Sequence, residues 1–151
     1  MNEEQDKKAI REVIATWLRA SAEGDIDRIL PLMAADVVFL LPGQPPMRGR
    51  DAYAVAYRSM IGKVQIEGAS DIQEIHIAGD YAFCWNQLSV TVTPGAGGPP
   101  SRQSVFSKEF VAEQIQRQTV HRAGPVLSVF RRESDGRWVL FRDANMLTAV
   151  E

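Results

Sequence analysis

Apolar residues recur at helical spacing near the start of the chain and at strand spacing over much of its second half. The first set follows the i, i+3, i+4, i+7, i+8 pattern of an amphipathic helix. Its members are Ile10, Val13, Ile14, Trp17 and Leu18. Asn2 and Gln5 form a loose capping-box pattern that predicts the helix start, and Gly24 is typical of the position just past a helix end.

The next segment predicts two more helices with a strand between them. Asp25 or Asp27 caps a short helix, which Pro31 limits to a brief or partly 3₁₀ element because proline is tolerated only in a first turn. Residues 37–41 form a first strand. The third helix covers residues 51 to about 61, with Tyr, Ala and Met side chains on its buried stripe.

Long strands dominate the rest of the chain. We predict strands over 64–78 and 81–93, joined by a tight turn at Gly79-Asp80. The stretch 126–147 predicts a hairpin whose loop, 133–136, ends in glycine. Three helices followed by a curved antiparallel sheet predict an α+β fold, a cone-shaped roll with the helices on its concave face.

The terminal hairpin is apolar on both sides, which an antiparallel strand with one wet face would not be. Its apolar residues are Val126, Leu127, Val129, Phe130, Trp138, Val139, Leu140 and Phe141. We therefore expect the chain's own helices to cover one face of the hairpin and another structure to cover the other.

A segment at about 101–119 lies between two of the predicted long strands. Phe106, Phe110 and Ile115 give it a helical apolar stripe, and a Pro/Gly-rich loop, 94–100, precedes it. Connections of this length are usually functional or disordered. The pattern leaves open whether it is a lid for the cone, an extension of a dimer interface, or a contact for a partner.

Composition and charge exclude several classes of protein. A chain of 151 residues fits a single domain, 1–151, with one atypical insertion. The net charge of −2 predicts no nucleic-acid or anionic-membrane partner. Because the N-terminus is polar we expect no signal peptide, and no apolar run reaches the length of about 20 residues needed to cross a bilayer. The single cysteine, Cys84, fits a cytoplasmic location.

Several segments together resemble a known family. They are an Ile/Val/Trp-rich first helix, then GDID, ADVVF, a Pro-Gly loop, RGRDAY and a closing DGRWVLFRDANML. This order resembles the nuclear transport factor 2-like superfamily, its SnoaL-like, ketosteroid-isomerase-like group, and most closely the SgcJ/EcaC type. The resemblance implies a cone with a pocket and a homodimer packed through the outer face of the sheet, which would supply the second cover for the hairpin.

The resemblance does not fix a function, because one fold hosts many activities. The steroid isomerases of this group use a phenol on the first helix and two pocket carboxylates. Here Trp17 stands on that helix without a tyrosine, and the early loop LLPGQPP carries no acid. Two of the three parts of that mechanism are therefore missing.

Asp143 and Asn145 are the first candidates for chemistry. They lie two apart on one strand, so their side chains share a face. A desolvated aspartate can act as a general base, and an asparagine can donate to a developing oxyanion. The alternative interpretation is structural: Asp143 pairs with an arginine, ties down a loop or helix, or joins a buried network that orders the fold.

Other candidates have weaker signals. His76 shares a face with Glu74, which could hold its tautomer, although a solvated histidine is the simpler interpretation. Four aromatic residues could line a ligand pocket or simply form core: Trp17, Tyr57, Phe83 and Trp85. Two histidines without a ligand motif predict no metal, and no nucleotide or cofactor motif occurs, so we expect no cofactor.

Two functions follow as hypotheses. In the first, a small hydrophobic molecule enters the pocket, Asp143 abstracts a proton next to a carbonyl, and Asn145 or His76 stabilises the enolate, as in an isomerase or cyclase without a cofactor. In the second, the protein is a non-catalytic dimeric binding or accessory protein. A cavity of roughly 300 Å³ or more that reaches Asp143 would favour a ligand, and a filled cone would favour the second hypothesis.

Overall fold

The computed structural model describes residues 2–60, 62–94 and 119–150, which contain three α-helices and a seven-stranded sheet, and the third helix follows the second strand in the chain. The helices are α1 (Glu3–Glu23), α2 (Ile26–Ile29) and α3 (Arg50–Met60). The strands are β1 (Met33–Leu40), β2 (Met47–Arg48), β3 (Val64–Ala78), β4 (Tyr81–Pro94), β5 (Val120–Arg132), β6 (Trp138–Asn145) and β7 (Thr148–Ala149). Their order is β2-β1-β6-β5-β4-β3, with β7 beside β5, and only β1 and β6 run parallel.

The helix ends confirm the sequence prediction. The Asn2 side chain accepts from the Gln5 N–H at 2.8 Å, and the Gln5 side chain accepts from the Asn2 N–H at 3.1 Å, which completes a capping box. Gly24 has φ 71° and closes α1 in the left-handed conformation. Pro31 lies in a 3₁₀ turn, Leu30–Leu32, so the second helix is brief, as expected.

The strands differ from the prediction at the edges of the sheet. β1 begins at Met33, four residues before the expected start, and its parallel pairing with β6 was not predicted. The short strands β2 and β7 were also missed, because two-residue pairings leave no periodicity in a sequence. The predicted loop and helix over 95–118 lie outside the described residues.

Helix α1 is anchored to the terminal hairpin by a buried carboxylate. Asp6 is only 3% exposed and accepts from the Trp138 indole N–H at 3.0 Å and from Arg132 at 3.3 Å. The Arg132 guanidinium lies over the Trp138 ring and also reaches Asp80 at 3.5 Å. This network links the first turn of α1 to both strands of the hairpin.

Bulges set which side chains face the helices. The register of β3 and β4 shifts between Ile72 and Glu74, so Gln73 has no cross-strand partner. A one-residue shift reverses the alternation of side chains. As a result Ile75 is buried in the core, whereas Glu74 and His76 lie on the convex face of the sheet.

Candidate functional site

A cavity of about 180 Å³ lies on the concave face of the sheet, between two separate apolar clusters. One cluster packs under α1 and α3 and contains Phe39, Tyr53, Tyr57, Phe130 and Leu140. The other is built around Val90, Val92, Val126 and Leu147. Both clusters contribute to the cavity wall, together with Val13, Ile14, Trp17 and Leu18 of α1. The cavity reaches Asp143 but is smaller than the 300 Å³ set above.

Asp143 is placed in the cavity wall by the pairing of three strands. It lies opposite Ser128 on β5 and opposite Phe39 on β1. The Ser128 hydroxyl donates to Asp143 Oδ1 at 2.6 Å. Burial among apolar side chains raises the pKa of Asp143 from 3.8 to about 7, and the Ser128 hydrogen bond opposes part of that rise. Asp143 is therefore poised to gain or lose a proton near neutral pH.

The surroundings of Asp143 offer it no positive charge. Among the described residues that line the cavity, none is a lysine, arginine or histidine, and Asp143 is the sole carboxylate. Burial raises the pKa of Cys84 to about 11, with the Asp143 charge as a second cause. Burial also raises the pKa of Tyr53. Both groups therefore stay neutral near neutral pH and add no charge beside Asp143.

Two asparagines also line the cavity, and the oxygen of each amide already accepts a hydrogen bond. Asn145 Oδ1 accepts from the backbone N–H of Leu147 at 2.9 Å. Asn86 Oδ1 accepts from the Ser70 hydroxyl at 2.9 Å. Asn86, Val126 and Asn145 are cross-strand neighbours on β4, β5 and β6. The expectation that Asp143 and Asn145 share a face holds in the structure, which places both in the cavity wall.

Aromatic rings form one side of the cavity. Trp17 meets Tyr53 edge to face, with ring centroids 5.6 Å apart, and Phe39 stacks on Tyr53 at 5.2 Å. Tyr57 continues the row at 6.0 Å from Tyr53. Trp17 and Tyr57, which the sequence left open as pocket lining or core, lie in the cavity wall, whereas the central ring, Tyr53, was assigned only to the buried stripe of its helix.

Three of the candidates do not reach the cavity, which corrects the expected site. His76 lies on the convex face, 3.2 Å from Glu74 and stacked on Phe83. Phe83 and Trp85 share that face because Cys84 and Asn86, which alternate with them, point toward the helices. The bulge at Gln73 turns His76 to the convex face, and the regular alternation of β4 places Phe83 and Trp85 there. His76 is therefore not positioned to help Asp143.

Asn86 and Ser128 were missed, although each leaves a signal in the sequence. Asn86 interrupts the apolar face of β4 between Cys84 and Leu88. Ser128 does the same on β5 between Val126 and Phe130. A polar residue at an inward position of an amphipathic strand requires a partner or a ligand. That rule would have selected both residues.

Within the described ranges, no group of three or more histidine, cysteine, aspartate or glutamate side chains could hold a metal ion. No helix there has both the length and the apolar content to span a membrane.

The curved sheet and the helices on its concave face define a cone of the NTF2-like class. The model of the SnoaL-like domain matches residues 14–141, so this chain belongs to the SnoaL-like family. The finer SgcJ/EcaC assignment stays a prediction. No curated protein sequence matches the chain.

Solved structures show the same fold over nearly the whole chain. A conserved protein from Planctomyces limnophilus is 32% identical, with a TM-score of 0.81 over 98% of this chain and 100% of its own. A ketosteroid isomerase-like protein from Erwinia carotovora atroseptica is 22% identical, with a TM-score of 0.71 over 100% and 99%. An NTF2-like superfamily protein from Salmonella enterica is 17% identical, with a TM-score of 0.74 over 99% and 94%.

Proposed function

We propose that the cavity binds a small hydrophobic ketone and that Asp143 moves a proton at the carbon next to its carbonyl group. The observation that carries the proposal is a carboxyl group in an apolar cavity whose pKa is raised to about 7. A general base works best when its pKa lies near the working pH. Among the described residues, no other group in the cavity wall combines access with such a pKa.

The reaction would need only this chain's own groups. The Asp143 carboxylate takes the proton, which leaves a carboxylic acid and an enolate, and the Asn145 amide N–H donates to the enolate oxygen. Return of the proton to a different carbon would move a double bond and regenerate the carboxylate. No electrons are gained or lost overall, so the step requires no cofactor.

The size of the cavity bounds the substrate. A cavity of about 150 Å³ lined by aliphatic side chains holds a molecule such as benzene. The cavity of about 180 Å³ here is slightly larger and opens to solvent, so it accepts a frame of one ring, or of two rings of which one extends into the opening. Molecules of three or more fused rings are too large for this volume, so we restrict the proposal to monocyclic and bicyclic ketones.

The experiment is proton exchange in deuterium oxide, followed by NMR with a bicyclic ketone as the probe. We expect the protein to accelerate deuterium incorporation next to the carbonyl, with a rate that rises with pH and levels off above an apparent pKa of about 7. The sign follows from the role, because only the deprotonated carboxylate can accept a proton. Binding without exchange would contradict catalysis and favour the non-catalytic binding protein.

The convex face of the sheet supports a second proposal, a homodimer. Leu40, Ala144, Leu127 and Trp85 form one row across β1, β6, β5 and β4, and Val129 and Phe83 lie beside it. We name these six residues the outer apolar patch. No described element of the chain covers it, and Leu127 at its centre is 43% exposed. If the outer apolar patches of two copies pack against each other about a two-fold axis, the second face of the hairpin becomes buried.

Replacing Leu127 by glutamate is expected to convert a dimer into a monomer, because it puts two like charges into the desolvated centre of the interface. Sedimentation or light scattering measures the mass directly. The control is Val55→Glu on α3, a residue that is 58% exposed and lies outside the outer apolar patch, and it should leave the dimer intact. A monomeric wild type, or a dimeric Leu127→Glu variant, would contradict the proposal.

A further inference from the structure

The Asn86 amide is a buried polar group whose donor half has no partner in the described part of the chain. The residue is 5% exposed and lines the cavity. Its oxygen is occupied by the Ser70 hydroxyl at 2.9 Å, so the NH₂ group is the half left to face the cavity. The NH₂ nitrogen is not among the fully buried unpaired side-chain atoms of the described residues, so it is accessible from the cavity, where a ligand acceptor or water can reach it.

Asn145 also has an occupied amide oxygen, and it lies on β6, across β5 from Asn86. Its oxygen accepts from the Leu147 backbone N–H, which can only donate, and this fixes the orientation of the amide. Asn145 lines the cavity, and its NH₂ group is the half of the amide left free to donate there. Asn86 and Asn145 stand on either side of Val126, so two strand spacings separate their backbones, roughly 10 Å.

We infer that the cavity recognises an uncharged bicyclic molecule with two oxygen acceptors, one held by the Asn86 amide and the other by the Asn145 amide beside Asp143. The inference rests on the proposed function for the nature of the second oxygen, the carbonyl at the reacting end. It adds Asn86 as a binding residue that selects the substrate at the other end, and Ser70 as the residue that positions Asn86.

Three observations agree on this class of ligand. The described wall offers no cation, so a carboxylate or phosphate would find no counter-ion there. The cavity volume admits two rings at most. The Asn86 and Asn145 amides are too far apart for one carbonyl oxygen to reach both. The two ends of a fused bicyclic frame can approach both amides, since side chains on a concave face converge.

The test compares two probes, a methyl-octalindione and the methyl-octalone that lacks its second carbonyl group. We expect the wild-type protein to bind the dione about five- to tenfold more tightly, the factor typical of one neutral hydrogen bond. In the Asn86→Leu variant, which keeps the side-chain size and removes the donor, this ratio should fall to about one while affinity for the octalone is retained. Titration calorimetry measures both affinities.

Ser70→Ala provides the test of positioning. Without the Ser70 hydroxyl the Asn86 amide is free to turn its oxygen toward the cavity, so the dione preference should shrink although the donor is still present. Loss of packing alone would weaken the binding of both probes equally and leave the ratio of their affinities unchanged.

Each outcome decides the inference separately from catalysis. Equal affinity of the wild type for the two probes, failure of both to bind, or a preference that survives in Asn86→Leu would overturn it. Discrimination between the probes without any deuterium exchange would keep the recognition site and remove the proposed proton transfer. Deuterium exchange of the octalone without a difference in affinity between the two probes would keep the proposed proton transfer and remove the recognition site.

Discussion

Replacing Asp143 by asparagine is expected to slow deuterium exchange of the bicyclic ketone by about 10²- to 10⁴-fold, the range that a single general base contributes. The amide has nearly the shape of the carboxyl group and still offers an oxygen to the Ser128 hydroxyl. It cannot accept a proton at neutral pH. Ligand affinity should therefore change little while turnover is lost, and measuring the two separately distinguishes a catalytic role from a structural one.

The same variant supplies its own folding control. The pKa of Asp143 is raised from 3.8 to about 7 in the folded protein, so the folded state holds a proton that the unfolded state releases. The stability of the wild type should then fall as pH rises through this window, by up to about 1.4 kcal/mol per pH unit, and level off above it. The amide of the Asp143→Asn variant cannot titrate, so denaturation of the variant should lack this contribution.

The matched control is Asp71→Asn, an exposed carboxylate on β3 outside the cavity. It should exchange the ketone at the wild-type rate and keep the wild-type dependence of stability on pH. Undiminished exchange in the Asp143 variant would exclude Asp143 as the base. A stability difference that does not vary between pH 4 and 7 would show that the carboxyl group is not desolvated in the folded protein.

The sequence predicted those parts of the fold that depend on local patterns. The cap at Asn2, the end of α1 at Gly24 and the length of β3 all follow from side chains within a few residues. The parallel pairing of β1 with β6 does not, because its partners are about a hundred residues apart. That pairing sets Phe39 opposite Asp143, so it builds one side of the candidate site.

The candidate site was predicted in part for the same reason. Asp143 and Asn145 share a strand, and their common face follows from alternation alone. His76 was misplaced because a bulge at Gln73, invisible in the sequence, reverses the alternation on β3. Asn86 was not predicted, because the aromatic residues selected on β4, Phe83 and Trp85, lie on its other face. A buried polar residue would have been the stronger signal for a site.

The cavity also depends on how α1 is held against the hairpin, and this gives the second large effect. Replacing Asp6 by alanine is expected to reduce the free energy of unfolding by about 3 kcal/mol, the low end of the range for breaking a buried ion pair. The Trp138 indole N–H would lose its acceptor, and Arg132 would lose the buried member of its ion pair. The low end applies because Arg132 is partly exposed.

The chain offers a matched control for the Asp6 result, because Arg132 contacts a second carboxylate at the surface. Asp80 lies 3.5 Å from the Arg132 guanidinium and its side chain is 76% exposed. Replacing Asp80 by alanine should therefore cost less than about 1 kcal/mol, as exposed ion pairs do. Urea denaturation of both variants measures the difference. Equal losses of unfolding free energy in the two variants would mean that the burial of Asp6 adds nothing to stability. Packing alone would then hold α1, and with it Trp17, against the sheet.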